Sequence, residues 1–248
     1  PVPIVLGHEG SGEIVELGKG VHDVKVGDHV CFTFNVSCGR CRRCLEGRPY
    51  ICERSVTPRA AGQLLSGHHR LHMDGKPVNH QSGVSCYAEY AVVDRGSIVV
   101  IDKSLPLDVA ALFGCAVVTG VGAVVNTAQI QPGSTVAIVG LGGVGLSGLM
   151  GAVLAGAGRI VAIDLSDDKL GLARQLGATD TVNAKDADHV TQVRDLTNGG
   201  VDYAFDLAGT IKAMETAYLV TRWGGTTVTA GLSPIAADFS FKQSGLVS

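Results

Sequence analysis

The chain has 248 residues, enough for one or two domains with a sizeable core. Its 20 basic and 23 acidic residues leave a formal net charge of −3, so no overall basic field exists to hold nucleic acid or an anionic membrane. Glycine, at 34 residues, is close to twice its usual share of about 7%; with apolar content at 46% and only 8 prolines, the excess marks tight turns and close backbone approaches rather than disorder or a collagen repeat. The run from Val136 to Gly158 is uncharged and as long as a membrane span, but glycines interrupt it and its first third reads as a β run, so no membrane segment is expected.

From residue 4 to about 102 the apolar residues fall in short β-branched runs between glycine turns, which predicts an all-β half. Gly12–Gly18, Asp28–Phe34, Tyr90–Val93 and Ile98–Ile101 are the candidate strands. Residues 53–89 are polar, rich in Gly and His and weakly periodic, and read as one long excursion on which His68, His69, His72 and His80 form a solvated loop face. Near the start, Gly7-His8-Glu9-Gly10 sets an imidazole and a carboxylate between glycines. Taken alone, a turn histidine and a surface glutamate explain it.

Cys38-x2-Cys41-x2-Cys44-x7-Cys52 gathers four soft donors on a segment that Gly39 and Gly47 allow to wrap. Four thiolates around zinc make a closed tetrahedral site that contributes folding energy rather than chemistry. Two disulfides are the alternative, disfavoured by the short spacings and by an odd cysteine total of 7, which points to a reducing, cytoplasmic setting. Arg40, Arg42, Arg43 and Arg48 among these ligands read as compensation for a negatively charged cluster rather than a nucleic-acid surface. Cys31 and Cys86 read as core packing residues, as does Cys115 when considered by itself.

After Pro106 the rhythm changes to β runs alternating with Ala/Leu-rich helical stretches. Strands are predicted at Val136–Val139, Ile160–Ile163, Thr181–Val182, Val201–Phe205 and Thr226–Thr229, with helices at about 144–157, 167–176, 186–198 and 211–222. This alternation predicts a parallel sheet covered on both faces. The expected domains are 1–116 and 117–248. Trp223, before Gly224-Gly225, is expected to pack ahead of the fifth strand.

The first of those strands runs directly into Gly140-Leu141-Gly142-Gly143-Val144-Gly145, a G-x-G-x-x-G turn followed by a helix. The first glycine permits the tight turn, the second lets backbone approach a pyrophosphate, and the third lets helix and sheet pack closely. Asp164 ends the next strand, where a carboxylate accepts the ribose hydroxyls of an adenosine and repels a 2′-phosphate. These residues predict NAD as cofactor in preference to NADP.

Together these motifs, with Gly114-Cys115, Thr119 and Lys169, resemble the zinc-dependent medium-chain alcohol dehydrogenases along nearly the whole chain. The resemblance implies a GroES-like irregular β domain carrying the structural-zinc lobe, followed by a Rossmann doubly wound sheet with five of its six strands. It implies that His8 and Cys115 ligate a catalytic zinc with Glu9 beside them, that Thr119 borders the nicotinamide, that Lys169 assists Asp164, and that Phe34 walls the substrate pocket. It further implies two zincs per full-length subunit, a small alcohol or aldehyde substrate, and a homodimer. Family members carry a stretch before the His-Glu motif, with the first Cys ligand and the proton relay, and a C-terminal stretch with the sixth strand. The chain, which runs from Pro1 to Gly245–Ser248, is therefore expected to be part of a longer enzyme. Two other readings follow from the same motifs: an S-(hydroxymethyl)glutathione dehydrogenase, against which Val56 stands where those enzymes place an Arg, and a zinc-stabilised NAD-binding module without catalysis. Gln81 and Ser82 stand where liver-type enzymes are apolar, which implies a more polar pocket.

Overall fold

The computed structural model describes residues 2–241, so Pro1 and Gly245–Ser248 lie outside the described residues. The chain divides into two compact units, Pro1–Cys115 and Ala116–Ser248.

The first unit contains β1 (Ile4–Val5), β2 (Ser11–Glu13), β3 (His29–Phe32), the short helices α1 (Arg42–Leu45) and α2 (Val56–Ala60), β4 (Leu71–Met73), β5 (Lys76–His80), β6 (Ile98–Val100) and α3 (Leu107–Ala110). Strands β2, β3 and β6 form an antiparallel sheet with β3 central, and β1, β5 and β4 form a second sheet in which β1 pairs parallel with β5. Ile14, Val24, Val30, Phe32 and Val84 are buried together as its core.

Four sequence expectations need correction here. The strand predicted over Gly12–Gly18 ends at Glu13. Tyr90–Val93 forms no strand; Ala91 and Val93 pack on the core while Tyr90 and Val92 stay exposed, so the alternation is real but has no partner ladder. The 53–89 excursion holds α2 and a β4–β5 hairpin whose turn residues Asp74 and Gly75 both have left-handed φ, of 51° and 73°. Such an Asp-Gly turn matches the twist of the strands it joins. The histidine face is also wrong in one member. His80 is only 2% exposed, accepts a hydrogen bond from the Arg70 backbone N–H at Nε2 (3.2 Å), and is pushed below its ordinary pKa by burial and by His69.

The second unit begins with α4 (Ala116–Gly122), which continues as a π-helical turn over Ala123–Ala128, and then alternates β7 (Thr135–Val139), α5 (Gly143–Leu154), β8 (Arg159–Asp164), α6 (Asp167–Gln175), β9 (Asp180–Asn183), α7 (His189–Leu196), β10 (Val201–Asp206), α8 (Ile211–Val220) and β11 (Thr221–Thr229). All five strands are parallel, in the order β11-β10-β7-β8-β9. Successive side chains in a strand face opposite ways. Val136, Ile138, Ile160 and Ala162 therefore enter one buried layer with Leu149 of α5, and Ala137, Val139, Val161 and Ile163 enter the other with Val193 of α7 and Ala217 of α8. This is the Rossmann arrangement expected from the sequence.

Chain progression runs outward from β7 through β8 to β9, then returns to β10 beside β7. The carboxyl ends of β7 and β10 thus form the topological switch point at which such sheets bind ligands. Between Val201 and Tyr203 the pairing with β11 jumps from Thr221 to Thr226, so Arg222–Gly225 bulge out and Trp223 is 82% exposed instead of packed. No single helix among the described residues is long and apolar enough to cross a membrane.

Candidate functional site

The glycine turn sits at the end of β7, and each of its glycines answers a different steric demand. Gly140 has φ +91°, and a Cβ there would stand 2.6 Å from the Ala208 side chain, on the loop after β10. At Gly145 a Cβ would fall 1.8 Å from the Gly140 carbonyl oxygen, so only glycine lets α5 approach the strand end. At Gly142 a Cβ would meet nothing within 4 Å. Gly142 is the N-cap of α5, with no capping side chain, and Leu146 makes the first helical bond back to its carbonyl. The N–H groups of Gly143, Val144 and Gly145 therefore begin the helix with no intrahelical acceptor, at the positive end of its dipole. Open space over three donors fits a pyrophosphate.

Asp164, at the end of β8, is bound into the same turn. Its Oδ2 accepts the Leu141 N–H (2.7 Å) and its Oδ1 the Ser166 N–H (3.0 Å), while Lys169 of α6 places Nζ 3.9 Å from Oδ2. A carboxylate has about four acceptor positions, so capacity remains for hydroxyl donors. Thr119 is half-buried on α4, next to Gly120, where a Cβ would collide with the Val144 carbonyl of α5 (2.2 Å). That close crossing brings Gly120, the residue after Thr119, against the first turns of α5.

In the first unit the four sulfurs of Cys38, Cys41, Cys44 and Cys52 lie within 4.8 Å of one another. The separations of 3.5 Å (Cys41–Cys44) and 3.9 Å (Cys41–Cys52) are far beyond a disulfide bond, and all seven cysteines are free. They agree with the roughly 3.8 Å between sulfurs on a tetrahedral ion with Zn–S bonds near 2.3 Å. The Cys44 and Glu53 backbone N–H groups hold the Cys41 thiol down to about 6, whereas burial and the neighbouring sulfurs push Cys44 up to about 11. Burial, which raises the Cys52 thiol, is outweighed by the N–H groups of Cys38, Arg54 and Ser55, and Cys52 ends below its ordinary value. Four sulfur donors this close together fit a single cation between them. Arg42 and Arg43 are paired with Glu46, and Arg43 also with Glu53, on the surface of the lobe.

The His8-Glu9 dipeptide is clamped between glycines that packing requires. A Cβ on Gly7, whose φ is +101°, would stand 2.5 Å from the Tyr87 nitrogen, and one on Gly10 would stand 2.7 Å from Cys86 Cβ. The Gly10 carbonyl accepts from Phe32 N–H (2.8 Å), and the Gly7 N–H donates to Gln81 Oε1 (2.5 Å). The His8 ring stands edge-on to Phe34, with centroids 5.5 Å apart. Cys115 occupies a backbone break, φ −143° and ψ −72°, after a 3-10 turn over Ala111–Gly114, and a Cβ on Gly114 would press on the Phe32 carbonyl at 2.2 Å. Both predicted ligands thus flank the end of β3. Among the described residues the four lobe cysteines form the tight multi-donor group, and His8, Glu9 and Cys115 are not drawn into a comparable one.

Sequence reasoning misses two participants, Arg59 and Asp206, and reads a third, Gln81, only as part of a more polar pocket. Gln81 holds the Gly7 N–H. Arg59, on α2, lies over the Phe34 ring (5.8 Å to its centroid) and donates to Asn35 Oδ1 (3.1 Å). Asp206, 2% exposed at the end of β10, accepts from the Ala208 N–H (3.1 Å) and the Thr229 hydroxyl (2.9 Å), and so fixes the loop that packs on Gly140. Of the two missed, only Asp206 left a sequence signal, as a charge ending an apolar strand.

The family model for the alcohol dehydrogenase GroES-like domain matches residues 1–103, and that for zinc-binding dehydrogenases matches residues 143–247. An alcohol dehydrogenase zinc-binding domain protein from Burkholderia ambifaria is 33% identical with a TM-score of 0.93, the match covering 100% of this chain and 67% of that one. Benzyl alcohol dehydrogenase from Acinetobacter calcoaceticus is also 33% identical, with a TM-score of 0.92 and the same two coverages. A structure described as an NAD-dependent alcohol dehydrogenase is 30% identical, with a TM-score of 0.78, over 100% of this chain and 66% of that one. With its GroES-like and Rossmann units in order, its four-cysteine cluster and its glycine turn, this chain belongs to the zinc-dependent medium-chain alcohol dehydrogenase family.

Proposed function

We propose that the protein transfers hydride between a primary alcohol and NAD, releasing the aldehyde. The observation that carries this reading is the switch-point turn, where open space over the α5 N-terminus adjoins the Asp164 carboxylate. The N–H groups of Gly143, Val144 and Gly145 bind the pyrophosphate, and Asp164, oriented by Leu141 and Ser166 and faced by Lys169, accepts the adenosine ribose hydroxyls. Thr119 borders the nicotinamide.

In the first unit, His8 and Cys115 hold the catalytic metal with Glu9 beside them, and Cys38, Cys41, Cys44 and Cys52 hold the structural one. Imidazole, thiolate and carboxylate together suit zinc. When bound, zinc supplies the Lewis acidity that makes an alcohol proton labile at neutral pH, and NAD supplies the hydride acceptor. Phe34, edge-on to His8, presents an apolar wall to the substrate carbon and keeps water from it. The relatives' names favour alcohols, benzyl alcohol among them. We place the protein in the cytoplasm as a homodimer, on the reducing chemistry of its clustered thiols and on its family.

Turnover of benzyl alcohol with NAD and with NADP, in the wild type and in Asp164→Gly, tests the reading. The wild type is expected to reduce NAD with a preference over NADP of at least about tenfold, and Asp164→Gly to narrow that preference. Absence of alcohol-dependent NADH formation from zinc-loaded protein overturns the enzyme reading in favour of a binding module. An unchanged preference in the variant overturns the ribose assignment.

A further inference from the structure

We propose that Gln81 is a positioning residue for the reacting end: its side-chain amide fixes the backbone immediately before His8, and so sets how tightly His8 and Cys115 hold their metal. The inference rests on the alcohol dehydrogenase reading and adds to it a residue that acts through the backbone of a ligand. The segment that delivers His8 is not held by burial. Strand β1 ends at Val5, Leu6 is 51% exposed, and Gly7 has no side chain to bury. Tyr87 stands so close that only glycine fits at position 7, and glycine has the widest choice of backbone conformation of any residue.

Hydrogen bonds from residues 81–87 hold this segment instead. The Val5 carbonyl accepts from the Gln81 N–H (3.3 Å) and the Ser85 hydroxyl (2.8 Å), the Leu6 carbonyl from the Tyr87 N–H (3.0 Å), and the Gly7 carbonyl from the Cys86 N–H (3.1 Å). For the Gly7 N–H the acceptor is a side chain, Oε1 of Gln81 at 2.5 Å. Because the partner is a donor, the amide oxygen of Gln81 is the atom that faces it. An apolar side chain at position 81 would leave that N–H without this acceptor, one residue from the His8 ring.

Gln81 is itself rooted in a turn built against local preference. Ser82 and Ser85 have φ of 52° and 49°, left-handed values that non-glycine residues adopt at a cost. Such conformations persist where the surroundings over-determine them. Ser85, 3% exposed, accepts the Gln81 N–H at Oγ (2.8 Å) while donating to Val5, and the Gln81 carbonyl accepts from Val84 (3.0 Å) and Ser85 (3.3 Å). Val84 is buried in the core of the unit, which anchors the turn. On the far side of the dipeptide the Gly10 carbonyl is tied to Phe32, so His8-Glu9 is spanned between two fixed points. A ligand whose backbone is fixed in advance loses less freedom when it takes up an ion, and partners behind the direct ligands typically change metal affinity by about 10–100-fold.

The test compares zinc-loaded wild type with Gln81→Met, which keeps the length of the side chain and removes the acceptor, and Gln81→Glu, which keeps an acceptor. Zinc retained per chain is read by mass spectrometry of the intact protein along a titration with a competing chelator. Wild type and Gln81→Glu are expected to release the second zinc at the same chelator concentration, Gln81→Met at a concentration about tenfold lower, and all three to keep the lobe zinc. Hydrogen–deuterium exchange is expected to be faster at the Gly7 N–H in Gln81→Met and unchanged over the 38–52 lobe. Equal retention of the second zinc in Gln81→Met, or unchanged exchange at Gly7, overturns the proposal and leaves alcohol oxidation intact. Loss of both zincs together in Gln81→Met, or failure of Gln81→Glu to retain the second one, also overturns it, since either shows a general effect on folding and not a role for the acceptor. A wild type that holds only the lobe zinc overturns the metal assignment to His8 and Cys115, and the role of Gln81 falls with it.

Discussion

At the scale of single residues, the glycine turn separates two roles that look identical in the sequence. Gly142 and Gly145 are both glycines of one motif, yet a methyl group at Gly142 meets empty space and at Gly145 meets the Gly140 carbonyl. Gly142 also has φ −78°, which any L-residue adopts. Gly142→Ala is therefore expected to keep urea stability within about 0.5 kcal/mol of the wild type while weakening NAD binding by about tenfold or more. Gly145→Ala is expected to lose about 3 kcal/mol, as overpacking against rigid backbone does. Equal stability losses in the two variants would refute the division of labour. Asp206 carries a similar lesson: buried with its loop N–H partners, it holds the neighbouring turn in place and is visible in the sequence only as an acid ending an apolar run.

At the scale of elements, legibility followed periodicity. Strands β7, β8 and β10 and helices α5 to α8 were readable because their apolar residues recur at strand or helix spacing, and both layers of the sheet are filled by alternate residues of these strands. The first unit was harder. Its strands are short, and residues 71–80 pair through backbone bonds around an Asp-Gly turn whose polar composition conceals them. The lobe was readable for a different reason, since its spacing is dictated by ligand geometry and not by burial. No residue of α1 is buried, so the lobe has no apolar core of its own. Removing one ligand should therefore loosen it. Cys44→Ser, or extraction of the metal by a strong chelator, is expected to lower the Tm by at least about 5 °C and to expose the 38–52 segment to protease, with NAD binding by the second unit retained. A lobe that resists protease without metal would show that the cysteines are packing residues.

At the scale of the whole molecule, the two units divide the chemistry. The dinucleotide site proposed for the second unit is assembled from contiguous turn residues and one acid, so the motif alone announced it. The reacting end proposed for the first unit draws on His8 near the beginning and Cys115 at the end of the unit, and no spacing rule joins residues so far apart; only the family resemblance paired them. What the fold adds is that His8 contacts Phe34, just past the end of β3, while Gly114 lies so close to the carbonyl of Phe32, the last residue of β3, that no Cβ would fit. The contacts of Arg59 were illegible because Asn35 and Phe34 lie far from it in sequence. The proposed alcohol oxidation depends on a second metal at His8 and Cys115, apart from the lobe. Zinc content measured by mass spectrometry on the purified wild type, His8→Ala and Cys115→Ala tests it most directly: two zincs per chain are expected in the wild type and one in each variant, with the lobe metal kept. A single zinc in a wild type that oxidises alcohol, or two zincs persisting in both variants, would contradict it.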